Sequence, residues 1–250
     1  MAGPYCAMLL ADMGARVIKV EPPAGDSTRA MAGSRGSDSA AFNAVNRGKL
    51  GMVVDLSKDK GRAVFTQLAR GADIVVENYR PGVMAKLGLD YAKLSVENPR
   101  LIYASISGHG QTGPWAHKGG FDLIAQGLSG IMSVTGSPGG APVKCGVPLT
   151  DLAAGLFAAI GILGALHHRG QSGRGQHIDT ALVDAGLPAF TAPGFTSTRG
   201  SASGQTGCPP QPPLEVQWNT GGYPTQTGEA VLGFLGYLNA TYGYRTFDLV

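Results

Sequence analysis

The chain has 250 residues, of which 43% are hydrophobic and 15% are charged, and its formal net charge is +3. This composition predicts a packed globular protein and argues against a disordered one. The basic residues form no run, so the charge pattern does not indicate a nucleic-acid partner or a membrane-surface patch.

Several features bear on the compartment. Cys6, Cys145 and Cys208 are odd in number and lack CxxC spacing, which favours reduced thiols in a cytoplasmic protein over disulfides or a zinc site. The histidines show no metal-ligand spacing either. Asp12 interrupts the first apolar run, and no basic segment precedes it, so we predict no signal peptide. The apolar run 152–166 is shorter than the ~20 residues that span a bilayer, which predicts a buried core helix and no membrane partner.

The first part of the chain alternates between helical and strand patterns. The predicted elements are a helix over 4–14, a strand over 15–23, a strand over 51–56, a helix over 58–72, a strand over 73–79, a helix over 91–98 and a strand over 100–107. Parallel strands need crossover connections, so this alternation predicts an α/β fold with a parallel sheet and flanking helices. Ligands of such sheets bind at the carboxyl ends of the strands.

The remainder divides into a loop-rich part, a helical part and a low-complexity part. Residues 107–149 are loop-rich except for a predicted helix over 121–133, and the apolar helix headed by Asp151 and the segment 175–185 follow. From residue 186 the chain is rich in Pro, Gly and Ser, which is typical of a linker. We therefore predict one domain over 1–185, with an incomplete second domain over 186–250.

A GxGxxG pattern follows the strand that ends near residue 107. Its glycines are Gly108, Gly110 and Gly113. A dinucleotide site would need an apolar helix directly after the third glycine, but Pro114 and Trp115 stand there. The pattern favours a turn near a ligand over a nicotinamide or flavin site.

Asp151 stands directly ahead of the apolar run, and two interpretations are open. Asp is a preferred helix N-cap, and Thr150 beside it is another. If Thr150 caps the helix, Asp151 falls in the first turn, where the positive end of the helix dipole favours the ionised carboxylate. Such a carboxylate, among glycine-rich backbone, is a plausible nucleophile toward acyl groups.

The segment VENYRPG, residues 76–82, ends a predicted strand in polar and aromatic side chains. Asn78, Tyr79 and Arg80, with Lys58 and Lys86 nearby, combine an amide, a flat ring and cations that suit an adenine and phosphates. The alternative is an ordinary turn with a solvated Arg80. Chemistry alone leaves both interpretations open.

Six segments, taken together and in order, resemble the class III CoA-transferases, the CaiB/BaiF family. The segments are AGPYCAMLLADMGARVIKVEPPAGDSTR, FNAVNRGKLGMVVDL, ADIVVENYRPGVMAKLGLDY, NPRLIYASISGHGQTGP, GGFDLIAQGLSGIMSVTG and DLAAGLFAAIGILGALHHRGQSGRGQHIDTALVDA. The resemblance covers residues 2 to about 185. It implies a Rossmann-like large domain, a smaller second domain and an interlocked homodimer.

The resemblance also implies an activity and residues for it. The expected reaction is transfer of coenzyme A from an acyl-CoA to a small free carboxylic acid, with no permanently bound cofactor. The family's nucleophilic aspartate carries over to Asp151 in TDLAAG, and its helper carboxylate to Asp122. The positions expected to contact CoA are Val54, Asn78, Tyr79 and Lys86, to which Arg80 is added for its charge.

The expected mechanism runs through an aspartyl-CoA thioester on Asp151. Backbone N–H groups near residues 108–113 are candidates for stabilising the oxyanion. The alternatives are an α-methylacyl-CoA racemase and an inactive CoA-binding fragment. Racemases of the family use a histidine in a GHD-type motif, and its counterpart here is Phe121, which cannot carry a proton.

Two departures from the family are expected at the ends of the chain. The family's first strand, ahead of the AGP motif, has no counterpart before Met1. Residues 186–250 do not follow the family's pattern for the second domain, which suggests a truncated or frame-shifted remnant.

Overall fold

The computed structural model describes residues 1–31 and 38–191. Helices and strands alternate along them: α1 (Ala2–Asp12), β1 (Val17–Glu21), α2 (Ala40–Asn46), β2 (Lys49–Val53), α3 (Asp59–Gly71), β3 (Ile74–Glu77), α4 (Val83–Leu87), α5 (Tyr91–Glu97), β4 (Ile102–Ser107), α6 (Asp122–Leu128), α7 (Leu149–Ser172), β5 (His177–Ala181) and α8 (Leu182–Thr191). Short 3₁₀ turns cover Ser27–Ala30 and Ile131–Val134. The prediction of an α/β fold is confirmed.

The strands are all parallel but form two groups. β1 pairs with β2, and β4 lies between β3 and β5 in a three-stranded sheet. The sequence predicted one parallel sheet, because hydrophobic patterns identify strands without identifying their partners. Helix α1 connects the two groups, since it packs against β1 and α2 as well as β3 and α7.

The main core lies between the three-stranded sheet and helix α7. All six residues of β4 are buried, and alternate side chains point to opposite faces of the sheet. Ile102, Ala104 and Ile106 face α7 and share a core cluster with its small residues. A Cβ atom at Gly155 would lie 2.7 Å from the carbonyl oxygen of Ala2, so glycine there allows α1 and α7 to approach closely.

Helix α7 is longer than the apolar run from which it was predicted. It spans 24 residues and, among the described helices, it alone is long and apolar enough to cross a membrane by length and composition. Core helices of soluble proteins meet the same two criteria, and one face of α7 lies in the core, as predicted. The opposite face exposes Leu156, Ile160 and Leu163 by 46%, 50% and 43%.

Other boundaries differ from the predicted ones. The helix predicted over 121–133 ends at Leu128, and Gly130, with φ of 84°, separates α6 from the following 3₁₀ turn. Helix α8 continues to Thr191, so the predicted domain boundary at residue 185 lies inside a helix. Residues 192–250, most of the predicted linker and second-domain remnant, lie outside the described residues.

Candidate active site at the head of helix α7

The first turn of α7 contains both residues that the sequence offered as caps. The helix begins at Leu149, and the N-cap residue, Pro148, has no side-chain capping bond. Thr150 and Asp151 therefore both lie in the first turn, and neither is the N-cap residue. Of the two interpretations of Asp151, the structure agrees with the one that places it in the first turn, although Thr150 does not cap the helix.

Asp122, on the neighbouring helix α6, supplies the cap from 28 residues away. Its Oδ1 accepts hydrogen bonds from the Thr150 backbone N–H at 2.9 Å and the Thr150 hydroxyl at 2.8 Å. The Asp151 N–H points to the same oxygen at 3.4 Å. A carboxylate at this position satisfies N–H groups that have no partner within the helix and complements the positive end of its dipole.

The carboxylate of Asp151 keeps its lone pairs free. It is partly exposed, and it accepts no hydrogen bond and forms no ion pair within residues 1–31 and 38–191. Burial raises the pKa of Asp151, the Met1 amino group lowers it, and the charge of Asp122 raises it further. The helix dipole was expected to favour the ionised form, whereas burial shifts the pKa in the opposite direction. A carboxylate with free lone pairs and a raised pKa is suited to nucleophilic attack.

A glycine contact holds the start of α6 against the edge of the sheet. A Cβ atom on Gly108, just after β4, would lie 2.4 Å from the Cα of Gly120, just before Phe121 and Asp122. No side chain fits such an approach. Gly108 is the first glycine of the GxGxxG pattern, and the prediction that the pattern forms a turn is confirmed by the bends and turns that follow it.

Two backbone N–H groups of this turn already have acceptors. The Gly110 N–H donates to the Ser107 hydroxyl at 3.0 Å, and the Gln111 N–H donates to Asp179 Oδ2 at 2.8 Å. Of the donors expected to stabilise an oxyanion, these two are committed to holding the loop. They are not available for catalysis in this arrangement.

Asn78, expected to contact CoA, has a structural role that the sequence did not indicate. Its Oδ1 accepts from the Gly3 N–H at 3.1 Å, and its Nδ2 donates to the Ile106 carbonyl oxygen at 2.7 Å. The amide therefore joins the start of α1 to the end of β4. Each of its polar atoms keeps capacity for one more hydrogen bond.

The other expected CoA contacts lie near the carboxyl ends of β2 and β3. The Arg80 and Lys86 side chains are exposed and form no ion pair with any residue that the structure describes. The Arg80 guanidinium lies against the loop before α6, where a Cβ on Gly119 would be 3.2 Å from its Cζ. Tyr79 is 45% exposed, whereas Val54 is 7% exposed. The side chains of Tyr79, Arg80 and Lys86 are therefore accessible to a ligand.

A cavity of about 240 Å³ lies on the other face of the sheet. Among its lining residues are Glu77, Ser105 and His177, which alternate with the β-strand side chains that face α7. The Ser105 Oγ is 2.9 Å from the His177 Nε2. Burial raises the pKa of Glu77 and lowers that of His177. Asp151 does not line this cavity.

Sequence reasoning missed the cavity and the partners of Asp122. Serines within a buried strand, in IYASIS, were the available signal for the cavity. For the partners of Asp122, the available signal was Gln126, which stands one helical turn after Asp122. The structure shows that Gln126 is fully buried. No group of three or more potential metal ligands occurs within residues 1–31 and 38–191.

The matches to known proteins each cover about three quarters of the chain or more. The model of a family described as CoA-transferase family III matches residues 1–236. A succinate–glutarate CoA-transferase of Agrobacterium fabrum is 49% identical over 192 residues, which cover 74% of this chain and 48% of that protein. An acetyl-CoA:oxalate CoA-transferase of Acetobacter aceti is 48% identical over 187 residues, with the same two coverages.

A solved structure matches as well. The crystal structure of a CaiB/BaiF family protein from Brucella suis superposes with a TM-score of 0.72 at 44% identity, covering 76% of this chain and 52% of that one. The chain thus spans about half the length of the relatives that it matches.

Proposed function

This chain belongs to CoA-transferase family III, and from that premise we propose that it transfers coenzyme A from an acyl-CoA to a free carboxylic acid through Asp151. The observation that carries the proposal is the pair of carboxylates at the head of α7. Asp122 occupies the N–H groups of the first turn, and the Asp151 carboxylate has no hydrogen bond within the described residues.

The first half of the proposed reaction transfers CoA to the protein. An Asp151 carboxylate oxygen attacks the thioester carbonyl, the C–S bond breaks, and CoA leaves as a thiolate. The product is a mixed anhydride between Asp151 and the donor acid. The thiolate then attacks the Asp151 carbonyl carbon, the anhydride C–O bond breaks, and the donor leaves as a carboxylate. An aspartyl-CoA thioester remains.

The second half reverses these steps with a different acid. The acceptor carboxylate attacks the aspartyl-CoA carbonyl and releases the thiolate, which attacks the acceptor carbonyl of the new anhydride. Asp151 leaves as a carboxylate. No net proton is taken up or released, so the site needs an ionised nucleophile and no general acid.

Asp122 supports this chemistry through the cap that it provides. Without Asp122 the N–H groups of Thr150 and Asp151 would attract the nearest carboxylate, which is that of Asp151 itself. Hydrogen bonds to Asp151 would stabilise its ionised form and lower its nucleophilicity. The cap from α6 therefore keeps the lone pairs of Asp151 available.

The exposed cations support a binding mode for CoA. Arg80 suits the geometry of phosphate oxygens as a planar fork, and Lys86 acts as a point charge. The exposed ring of Tyr79 offers a face for the adenine. Asn78 and the backbone at Val54 complete the proposed edge of the CoA site.

The names of relatives suggest the acceptor class. Succinate, glutarate, oxalate and mesaconate appear in the names of three of them, and all four are dicarboxylic acids. We therefore propose a dicarboxylic acid as acceptor. A homodimer and a cytoplasmic location belong to the same proposal, on the family resemblance alone.

No observation favours the racemase alternative. The residue at the position of the racemase histidine, Phe121, is 68% exposed and carries no proton-transferring group. A racemase would exchange the substrate α-hydrogen with solvent and would need no acceptor acid. That exchange, measured in deuterium oxide, separates the two activities.

The test is a covalent adduct on Asp151. The chain is mixed with a panel of acyl-CoA thioesters of dicarboxylic acids, quenched with hydroxylamine and examined by mass spectrometry. We expect an aspartyl hydroxamate at Asp151 in the wild type and none in Asp151→Asn. The matched control is Asp59→Asn, which alters another first-turn aspartate, one that is paired with Arg62.

Two results would contradict the proposal. Undiminished CoA transfer by Asp151→Asn would show that another group is the nucleophile. Binding of CoA by a folded wild type that forms no adduct with any member of the panel would leave the chain as an inactive CoA-binding fragment.

A further inference from the structure

The amide of Gln126 is fully buried beside the head of α7, and every polar atom of it is used. Its Oε1 accepts from the Cys145 backbone N–H at 2.7 Å. Its Nε2 donates to Asp122 Oδ2 at 2.7 Å and points to the Val147 carbonyl oxygen at 3.3 Å. Because the Cys145 N–H requires an acceptor, the orientation of the amide is determined, and its N–H₂ must face the carboxylate.

The two oxygens of the Asp122 carboxylate accept hydrogen bonds from different partners. Gln126 takes Oδ2, and Oδ1 is left for Thr150 and the first turn of α7. Gln126 therefore fixes the rotation of the carboxylate that caps α7.

We propose that Gln126 is a positioning residue for the reaction at Asp151: it locks Asp122 as the cap of α7 and so keeps the Asp151 carboxylate free. The proposal rests on the proposed function, because it concerns the same nucleophile. It assigns a role to a residue that touches neither CoA nor the reacting atoms and acts only through Asp122.

The decisive variant is Gln126→Glu, which changes one N–H₂ group into an oxygen and keeps the shape. When the introduced carboxyl group is protonated, its O–H donates to Asp122 and its carbonyl oxygen still accepts from Cys145. When the introduced group is ionised, two carboxylates face each other and Asp122 must turn away or take up a proton. At low pH we expect the variant to transfer CoA at close to the rate of the wild type at the same pH. At pH 8 we expect the variant to be at least about tenfold slower than the wild type, as for other partners that orient a reacting group.

Two further variants test whether ionisable groups other than the introduced carboxyl group cause the pH dependence of Gln126→Glu. The ionisable groups on α6 and on the segments bonded to it or packed against it are Asp122 on α6, Cys145 before α7, Asp151 on α7 and Asp184 on α8. Gln171→Glu adds the same charge at the exposed end of α7 and should follow the wild-type pH profile.

The swap Gln126→Glu with Asp122→Asn exchanges the donor and the acceptor. The introduced amide at position 122 then donates its N–H to the introduced carboxylate at position 126, while the amide oxygen still accepts from Thr150. We expect the double variant to recover transfer at pH 8 relative to Gln126→Glu alone. Without such recovery, the pairing of residues 122 and 126 is not what matters.

A purely structural role for Gln126 predicts different results. Loss of transfer would then coincide with unfolding, measured by circular dichroism at each pH, whereas positioning predicts loss in a folded protein. Gln126→Leu, if it folds, should stay slow at every pH. Wild-type rates in folded Gln126→Leu would overturn the proposal.

A second readout does not need CoA transfer. Carbon-13 NMR of labelled aspartate, assigned with Asp151→Asn, gives the pKa of Asp151 in the wild type and in Gln126→Leu. If Asp151 takes over the cap, its pKa falls toward or below the ordinary carboxyl range, because N–H groups stabilise the charged form. An unchanged pKa contradicts the positioning role even when the wild type transfers no CoA, and absent transfer with a lowered pKa contradicts only the proposed function.

Discussion

Two regions flank the three-stranded sheet and both contain buried or partly buried acidic groups, yet the two regions differ in how hydrogen bonds are distributed. At the head of α7, Asp122 accepts bonds from two elements, and Asp151 accepts none within the described residues. In the cavity on the opposite face, Glu77 accepts bonds from Ser105 and the Tyr79 N–H. The cavity therefore contains a carboxylate that already accepts hydrogen bonds, and the free carboxylate lies at the head of α7.

A shifted pKa does not by itself identify the reactive group in this molecule. Burial raises the pKa of Asp151 and of Glu77 alike. What distinguishes them is whether the surrounding donors are already satisfied by another group. Asp151 is free because Asp122 takes the donors that a helix N-terminus offers to any nearby carboxylate.

The largest expected effect comes from separating the start of α6 from the sheet. Gly108→Ala places a methyl group 2.4 Å from the Cα of Gly120, and both sides of the contact are backbone, so neither can turn away. We expect a loss of about 3 kcal/mol in the free energy of unfolding, measured by urea denaturation. Gly71→Ala, on an exposed helical position with nothing within 4 Å, is the control and should be neutral or stabilising.

The contact between Gly108 and Gly120 also tests whether the sheet holds the residues at the head of α7 in place. If Gly108→Ala costs no more than Gly71→Ala, the backbone near residues 108 and 120 relaxes freely, and Asp122 is not held by the sheet. The head of α7 would then not be held in a fixed position relative to the sheet.

The next effect is on catalysis, through Asp122→Asn. The new amide turns an N–H₂ group toward the Gln126 N–H₂, so the carboxamide cannot satisfy both α6 and α7. We expect CoA transfer to fall by about 10- to 100-fold in a folded protein. Removal of a like charge also lowers the pKa of Asp151, so the rise of rate with pH should begin at a lower pH than in the wild type.

The pH–rate profile of Asp122→Asn tests whether Asp122 controls the pKa of Asp151. Removal of the charge and loss of the cap both lower that pKa, so both displace the acid limb to lower pH. An acid limb that moves to higher pH, or does not move, contradicts the coupling between the two residues.

The sequence predicted what depends on local pattern and missed what depends on tertiary contacts. The first-turn position of Asp151 and the parallel strands follow from periodicity over a few residues. The cap supplied by Asp122 joins positions 28 residues apart, and the Asn78 amide joins Gly3 to Ile106, so neither has a local signature. The burial that raises the pKa of Asp151 likewise depends on tertiary packing.

Arg80 contacts both regions, and its substitution tests whether it binds CoA. Its guanidinium lines the cavity and also lies against the loop that leads to Asp122. If it binds a CoA phosphate, Arg80→Ala and Lys86→Ala should each weaken CoA binding by about tenfold at low salt and less at high salt, measured by calorimetry. Arg16→Ala, at the amino end of β1, is the charge-matched control and should bind CoA like the wild type.

The smallest expected effect lies in the cavity itself. Ser105→Ala removes the hydroxyl that joins Glu77 to His177, and we expect a loss of about 1 kcal/mol in the free energy of unfolding. The pKa of Glu77 should rise further, because the hydrogen bond from Ser105 lowers it in the wild type. CoA transfer should stay at the wild-type rate, since Asp151 faces the other side of the sheet. A folded Ser105→Ala protein with strongly reduced transfer would make the cavity part of the catalytic site and would remove the distinction between the two faces.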